Sequence, residues 1–205
     1  MVDPTVLVLL RHGQTEWNDT SRMQGQIDTH LDETGVAQVN EAAHALRHRK
    51  FQAIYSSDLS RAYESAQILA ENLGIPVTSD PRLQEIHMGS WSGRTLDDVV
   101  AEFPEFASLY REGKDFRRSP TGETVADMVQ RAMPAIREIV QRHRGGEVLL
   151  VAHGFMISQL SQHIVGVAAH ARVLGNLGNA NWTEIGVDYD DRAWIICHNV
   201  GPHPR

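Results

Sequence analysis

The sequence predicts a three-layer α/β/α domain with a mostly parallel central sheet and an antiparallel edge strand. Three observations carry that prediction. Short aliphatic runs alternate with amphipathic helical stretches, the pattern of a parallel sheet covered on both faces. Two of the runs, "VLVLLRHG" and "EVLLVAHG", end alike in His-Gly. The C-terminal region instead offers two strand-like runs in succession, "NWTEIGVDYD" and "RAWIICHNV", the mark of a closing hairpin.

The elements follow in order. Thr5 to Leu10 is continuously apolar, as a strand buried on both faces must be. A polar, glycine-containing loop runs from Gly13 towards Leu31. A helix starts near Asp32, acidic at its head and ending in "LRHRK", so both ends complement the helix dipole. "AIYSS" is a second short strand. Leu59 to Leu73 is helical: Ala62, Ala66, Leu69, Ala70 and Leu73 share a face and Gly74 supplies the stop. "IPVTSDPRL" suits a short edge strand. Gly89 to about Arg118 is less periodic, with short helical stretches at "TLDDVVAEF" and "EFASLYRE", and is expected to form an inserted helical cap over a site. Glu123 to His143 is a long amphipathic helix carrying Val125, Met128, Val129, Ala132, Ile136, Ile139 and Val140 on one face. "GGEVLLVAHG" is a strand and "FMISQLSQHIVG" a helix. No repeat or linker interrupts the 205 residues, so residues 1–205 are read as a single domain.

Composition narrows the function. Hydrophobic residues make up 41% of the chain and the formal net charge is −7. A general nucleic-acid binder or anionic-membrane binder would need a basic face instead. No stretch is long enough to span a bilayer. The opening apolar run is short and lacks the features of a leader. The one cysteine, Cys197, permits no internal disulfide and lies in an apolar stretch, where an inert buried thiol is expected. The cytoplasm is the expected compartment.

An acidic chain that binds a small anion must concentrate positive charge locally. Arg11 and His12 stand side by side where the first strand ends, and His153 ends a later one. Ligands in open α/β sheets bind beyond the carboxyl ends of the strands. Both histidines therefore enter one crevice if their strands are neighbours. "AIYSS" runs into "DLSRA" and delivers Arg61 at a helix start, where free N–H groups also favour anions. The natural ligand is a phosphoryl group, held by permanently charged arginine forks and attacked by a neutral imidazole. A departing alkoxide needs a proton, and Glu85 in "PRLQEIHMGSWSG" is the candidate donor, with Glu16 the alternative. His44 and His48 lie one helical turn apart on a polar face without a third ligand, so no metal is expected. There is no P-loop and no dinucleotide fingerprint, and no cofactor is expected.

These segments resemble the histidine phosphatase superfamily, which includes the cofactor-dependent phosphoglycerate mutases. The similarity runs through "LLRHGQTEWN", "QGQIDTHLDETG", "YSSDLSRAYESA", "LQEIHMGSWSG", "TGETVADMVQRA" and "VLLVAHG". It implies a phosphoglycerate mutase-like fold and a phosphohistidine mechanism. By this resemblance His12 is the nucleophile, Glu85 the proton donor, and Arg11, Arg61 and His153 complete the phosphate pocket. Asn18 matches a position that contacts the phosphate, Gln24 one that orients the substrate, and Gly154 would add a backbone N–H. The interval between Glu85 and His153 is short for a mutase, and "EIHMGSWSG" looks like the phosphatases of the family. "SRMQGQIDT", "SSDLSRAY", His87 in "EIHMG" and "GNLGNANWTEI" are similar to the actinobacterial glucosyl-3-phosphoglycerate phosphatases. Asn179, Asn181 and Trp182 are residue types that suit a sugar acid, and Arg117 with Arg118 suit a carboxylate. The expected partner is a small phosphorylated metabolite, with no nucleic acid or membrane and with room for a homodimer. Two other readings remain open: a phosphoglycerate mutase, and a non-catalytic module that binds phosphorylated ligands.

Overall fold

The computed structural model describes residues 3–171 and 173–202. Its sheet has six strands: β1 (Thr5–Arg11), β2 (Phe51–Ser56), β3 (Val77–Ser79), β4 (Glu147–Ala152), β5 (Trp182–Val187) and β6 (Ala193–Val200). Their spatial order is β3-β2-β4-β1-β5-β6. The first four of that row pair in parallel; β5 joins β1 antiparallel and closes the sheet with β6 as a hairpin. The expected fold class is therefore the observed one. The antiparallel strand lies one place in from the edge, because its hairpin partner β6 adds outside it.

The helices are α1 (Glu16–Asp19), α2 (Glu33–Leu46), α3 (Ser60–Leu73), α4 (Leu96–Glu102), α5 (Phe106–Arg111), α6 (Val125–Arg142) and α7 (Gly154–Ile164). Alternation along the strands sorts them into layers. Val8 and Leu10 of β1, with Leu149 and Val151 of β4, face Val39, Ala42 and Leu46 of α2 and Ala66 and Leu69 of α3. Leu7 and Leu9, with Val148 and Leu150, face Met128, Ala132, Ile136 and Ile139 of α6 and Met156, Ile157 and Leu160 of α7. A strand buried on both faces has no polar alternate positions, which explains the unbroken aliphatic runs. Each such side chain contributes about 1.5–3 kcal/mol on burial.

Two local devices bear on the site. The stretch read as loop after Gly13 holds one helical turn, α1, closed by a capping box between Thr15 and Asn18. Gly13 and Gly35 approach so closely that a side chain on either would collide with backbone of the facing segment. The cap segment has its own small core of Trp91, Val99 and Phe106, flanked by Met88, Phe103, Tyr110 and Phe116. It is tied to the main body where Arg22 bridges to Thr95. Cys197 is half-buried rather than enclosed, and burial raises its pKa, which keeps the thiol protonated. His44 and His48 are both exposed. Among the described residues no helix is long and apolar enough to cross a membrane.

Candidate active site

The parallel pairing of β1 with β4 sets Arg11 opposite Ala152, so His12 and His153 follow at the same level. Their rings lie edge to face with centroids 5.4 Å apart, and both residues are buried. His12 Nδ1 is 2.6 Å from the Gly13 carbonyl oxygen. A carbonyl only accepts, so Nδ1 carries the hydrogen and the lone pair sits on Nε2. Burial, then the charges of Arg61 and Arg11, push the His12 pKa well below its ordinary value. The imidazole is thus neutral at physiological pH with Nε2 free to act as a nucleophile.

His153 is held from the other side. Its Nε2 lies 2.9 Å from Ser57 Oγ at the end of β2. The Leu59 N–H already donates to that hydroxyl, whose own hydrogen is therefore available to His153 Nε2; Nδ1 then keeps its proton and is a buried donor with no partner among the described residues. Burial, with the Arg61 charge adding to it, lowers this pKa well below the usual range too.

Arg61 is 1% exposed. Its Nη1 donates to the Ile27 carbonyl and its Nη2 to the Gly25 carbonyl, each at 2.8 Å. Arg11 Nη1 donates to the Leu177 carbonyl at 2.6 Å. Burial lowers both arginine pKa values, that of Arg61 to about 10, so each stays charged at neutral pH. In both, Nε is buried and unpartnered. The Nε atoms of Arg11 and Arg61 and Nδ1 of His153 are thus three unpaired donors close to the His12 imidazole. Leaving such groups unmet costs roughly 1–3 kcal/mol each, more for charged ones, and an anion between them removes that cost.

Glu85 lies in the wall of the same cavity. One carboxylate oxygen accepts from the Ile86 and Met156 N–H groups and the other from Phe155 N–H, so Glu85 caps the start of α7. Burial outweighs these donors and the Arg61 charge, and the Glu85 pKa is raised. A phosphate dianion placed beside it raises it further. Glu16, the alternative acid, is exposed on α1 and does not line the cavity.

The cavity holds about 560 Å³ and is lined by Arg11, His12, Asn18, Gln24, Arg61 and Gly154, among others. Asn18 Oδ1 accepts from Thr15 N–H and from Asn179 Nδ2, which turns its amide donors to the cavity. Asn179 Nδ2 also reaches the His12 carbonyl. Gln24 is braced by Thr29 Oγ1 at 2.7 Å. Gly154 stands at the N-terminus of α7, where the helix dipole favours an anion.

Five expected binding residues lie elsewhere. Arg117 is half-exposed and pairs with Asp127, at 3.0 Å, and with the Gly122 carbonyl. Arg118 is buried, donates to the Phe116 carbonyl and lies over the Phe116 and Phe155 rings, behind the cavity wall. The loop that carries the pair turns back onto the start of α6. His87 Nδ1 accepts from the Gly89 N–H and supports the turn into the cap. Asn181 binds Asn199 across the hairpin. Trp182 is a core residue whose Nε1 donates to Glu184. Its inward place on β5 follows from strand alternation. Sequence reasoning missed Ser57, Ser65 (whose Oγ accepts from Gly13 N–H) and Arg22. It also missed Ser158 and Gln159 of α7, whose place one turn beyond Gly154 was the available signal on a helix that carries several other polar residues.

The chain belongs to the histidine phosphatase superfamily: the branch 1 sequence profile matches it over residues 7–199. Among the curated relatives, it is 40% identical to glucosyl-3-phosphoglycerate phosphatase of Mycobacterium tuberculosis over 93% of this chain and 92% of the relative. It is 41% identical to the enzyme of that name from Mycolicibacterium vanbaalenii, over 87% of this chain and 83% of the relative. A solved mycobacterial glucosyl-3-phosphoglycerate phosphatase in complex with VO3 superposes with a TM-score of 0.88 at 39% identity, covering 96% of this chain and 99% of that one.

Two predictions arise from this geometry. A β-carbon at Gly154 would lie 2.9 Å from Arg11 Cδ and 3.0 Å from Nε. Gly154→Ala therefore displaces the Arg11 side chain rather than any backbone. The expected result is a roughly 10- to 100-fold loss of kcat/KM with a melting temperature within a few degrees of wild type. Loss of the folded state instead would contradict the placement.

The second concerns acid stability. The lowered pKa values of His12 and His153 mean that the unfolded chain binds their protons and the native chain does not. Their contribution is complete above the ordinary histidine value and is lost as pH falls below it. Glu85 has the opposite sign: its raised pKa contributes most below the ordinary carboxyl value and fades as pH rises through the native one. Urea unfolding between pH 5 and 7 should therefore show a shallower pH slope in His12→Asn than in wild type, by up to about 1.4 kcal/mol per pH unit. Equal slopes would show that His12 titrates alike in both states.

Proposed function

We propose that this protein is a metal-independent phosphomonoesterase working through a phosphohistidine, with glucosyl-3-phosphoglycerate as its substrate. The carrying observation is the set of unpaired donors, Arg11 Nε, Arg61 Nε and His153 Nδ1, close to the His12 imidazole. In this reading His12 Nε2 attacks phosphorus in line with the ester oxygen. The P–O bond breaks as Glu85 gives its proton to the leaving oxygen. The arginines and His153 hold the equatorial oxygens, where charge develops. Glu85, now a carboxylate, accepts a proton from water as that water attacks phosphorus. The N–P bond breaks, phosphate leaves and His12 is neutral again.

The substrate assignment rests on the two named relatives and on the cavity. Its volume exceeds the need of a three-carbon phosphoester. Ser158, Gln159 and Asn176 give its lining neutral polar groups of the kind that meet sugar hydroxyls. Residues 1–205 are taken as one catalytic domain with 89–118 as its cap. The free thiol fits the cytoplasm as its compartment, and the exposed β6 edge suits a homodimer, which sedimentation at micromolar concentration tests.

A phosphate-release screen over glucosyl-3-phosphoglycerate, 3-phosphoglycerate and simple sugar phosphates tests the reading. The expected outcome is the highest kcat/KM for glucosyl-3-phosphoglycerate, with stoichiometric phosphate. Efficient isomerisation of phosphoglycerate with a bisphosphoglycerate primer, and little phosphate release, would make the protein a mutase. Binding without release over hours would make it a phospho-ligand receptor.

A further inference from the structure

Three arginines line the cavity, and the phosphate site accounts for two of them. The third, Arg22, follows α1 at the cavity rim. Its Nη1 donates to the Gly93 carbonyl at 2.8 Å, and its backbone bridges to Thr95 at the edge of the cap. Among the described residues Arg22 makes no ion pair. Asp98, close enough to feel its charge, gives an oxygen to the Thr95 amide and hydroxyl in a capping box. One edge of the guanidinium is thus anchored, and the remaining donors have no carboxylate. Arg117 and Arg118, the cations expected to meet a substrate acid, are held by Asp127 and by the Asp115–Phe116 turn outside the cavity. Lys114 is paired with Glu112. Among the described residues no other lysine or arginine lines the space.

We propose that Arg22 is a specificity-determining residue that binds the carboxylate of a phosphorylated glycerate, whether its 2-oxygen is free or glycosylated. The inference rests on the phosphatase reading above and adds the acid group to what the site selects. A second anion near the phosphate needs its own cation, because the phosphate dianion repels it and already occupies Arg11 and Arg61. A guanidinium fixed by one carbonyl presents its other donors as a planar pair, the geometry a carboxylate accepts. Anchoring to Gly93 also places Arg22 at the seam between cap and body, so an acid bound there touches both.

The test compares 3-phosphoglycerate with glycerol 3-phosphate, which differ only in a carboxylate replacing a hydroxymethyl group. In wild type the ratio of their kcat/KM values should favour the acid. Arg22→Gln should lower that ratio by about 10-fold or more, mainly through KM of the acid, and Arg22→Lys should restore part of it. An unchanged ratio, whether both substrates lose equally or neither does, would overturn the assignment. Arg22 is exposed, so the fold is expected to survive, and melting curves for both variants check this. A wild-type enzyme that releases phosphate from neither ester nor from glucosyl-3-phosphoglycerate would defeat the phosphatase reading itself, a result distinct from an unchanged ratio.

Discussion

Replacing His12 with alanine lowers kcat/KM for glucosyl-3-phosphoglycerate by about 10^4-fold or more. The magnitude follows from what the side chain supplies. Without Nε2 there is no group in the cavity to accept the phosphoryl bond, and Arg11, Arg61 and His153 can only hold the dianion. Binding should therefore survive: phosphate or vanadate should still protect His12→Ala against thermal unfolding, because the unpaired donors remain. His12→Gln, which keeps a polar group without a ring nitrogen, should be equally inactive. Activity within about 10-fold of wild type in either variant would remove His12 from the mechanism.

Glu85→Gln should reduce kcat/KM for alkyl phosphates by about 10^2- to 10^4-fold, the usual range for a lost general acid. The effect should depend on the leaving group. An alkoxide needs the proton, whereas the nitrophenolate of p-nitrophenyl phosphate departs without it, so that substrate should lose less by about 10-fold or more. The pH profile supplies a second readout. A general acid must be protonated, so kcat/KM in wild type should fall as pH rises through the raised Glu85 pKa, and Glu85→Gln should lack that limb. The amide of the Glu85→Gln variant keeps one oxygen to accept from the start of α7, so the capping of that helix is largely retained. Equal losses for both leaving groups would assign Glu85 to structure rather than to proton transfer.

Much of the fold was legible because burial on both faces writes itself plainly into β1 and β4. The hairpin and the long helix α6 were as clear, since period-2 and period-3.6 patterns differ. The meeting of His12 with His153 was legible only on the assumption that their strands pair, a fact no local pattern contains. Arg117 and Arg118 show the limit. Two adjacent arginines look alike whether they face a ligand or, as here, an Asp127 carboxylate and the rings of Phe116 and Phe155. Trp182 lies away from the cavity for a related reason: a strand tryptophan beside asparagines reads as a sugar platform until the sheet register turns it inward. Arg22 stayed hidden because its place depends on a bridge to Thr95, far along the chain, that forms only once the cap folds. Ser57 was hidden in the same way, since its role exists only when β2 lies beside β4.

The central claim is that a phosphoryl group passes through His12, and rapid quenching tests it most directly. Enzyme mixed with glucosyl-3-phosphoglycerate carrying labelled phosphate, quenched in alkali within milliseconds, should hold up to one label per chain. The label should be stable to alkali, labile to acid, located on the peptide containing His12, and absent from His12→Ala. Turnover at the wild-type rate with no label at saturating substrate, or label on a residue other than His12, would contradict the account.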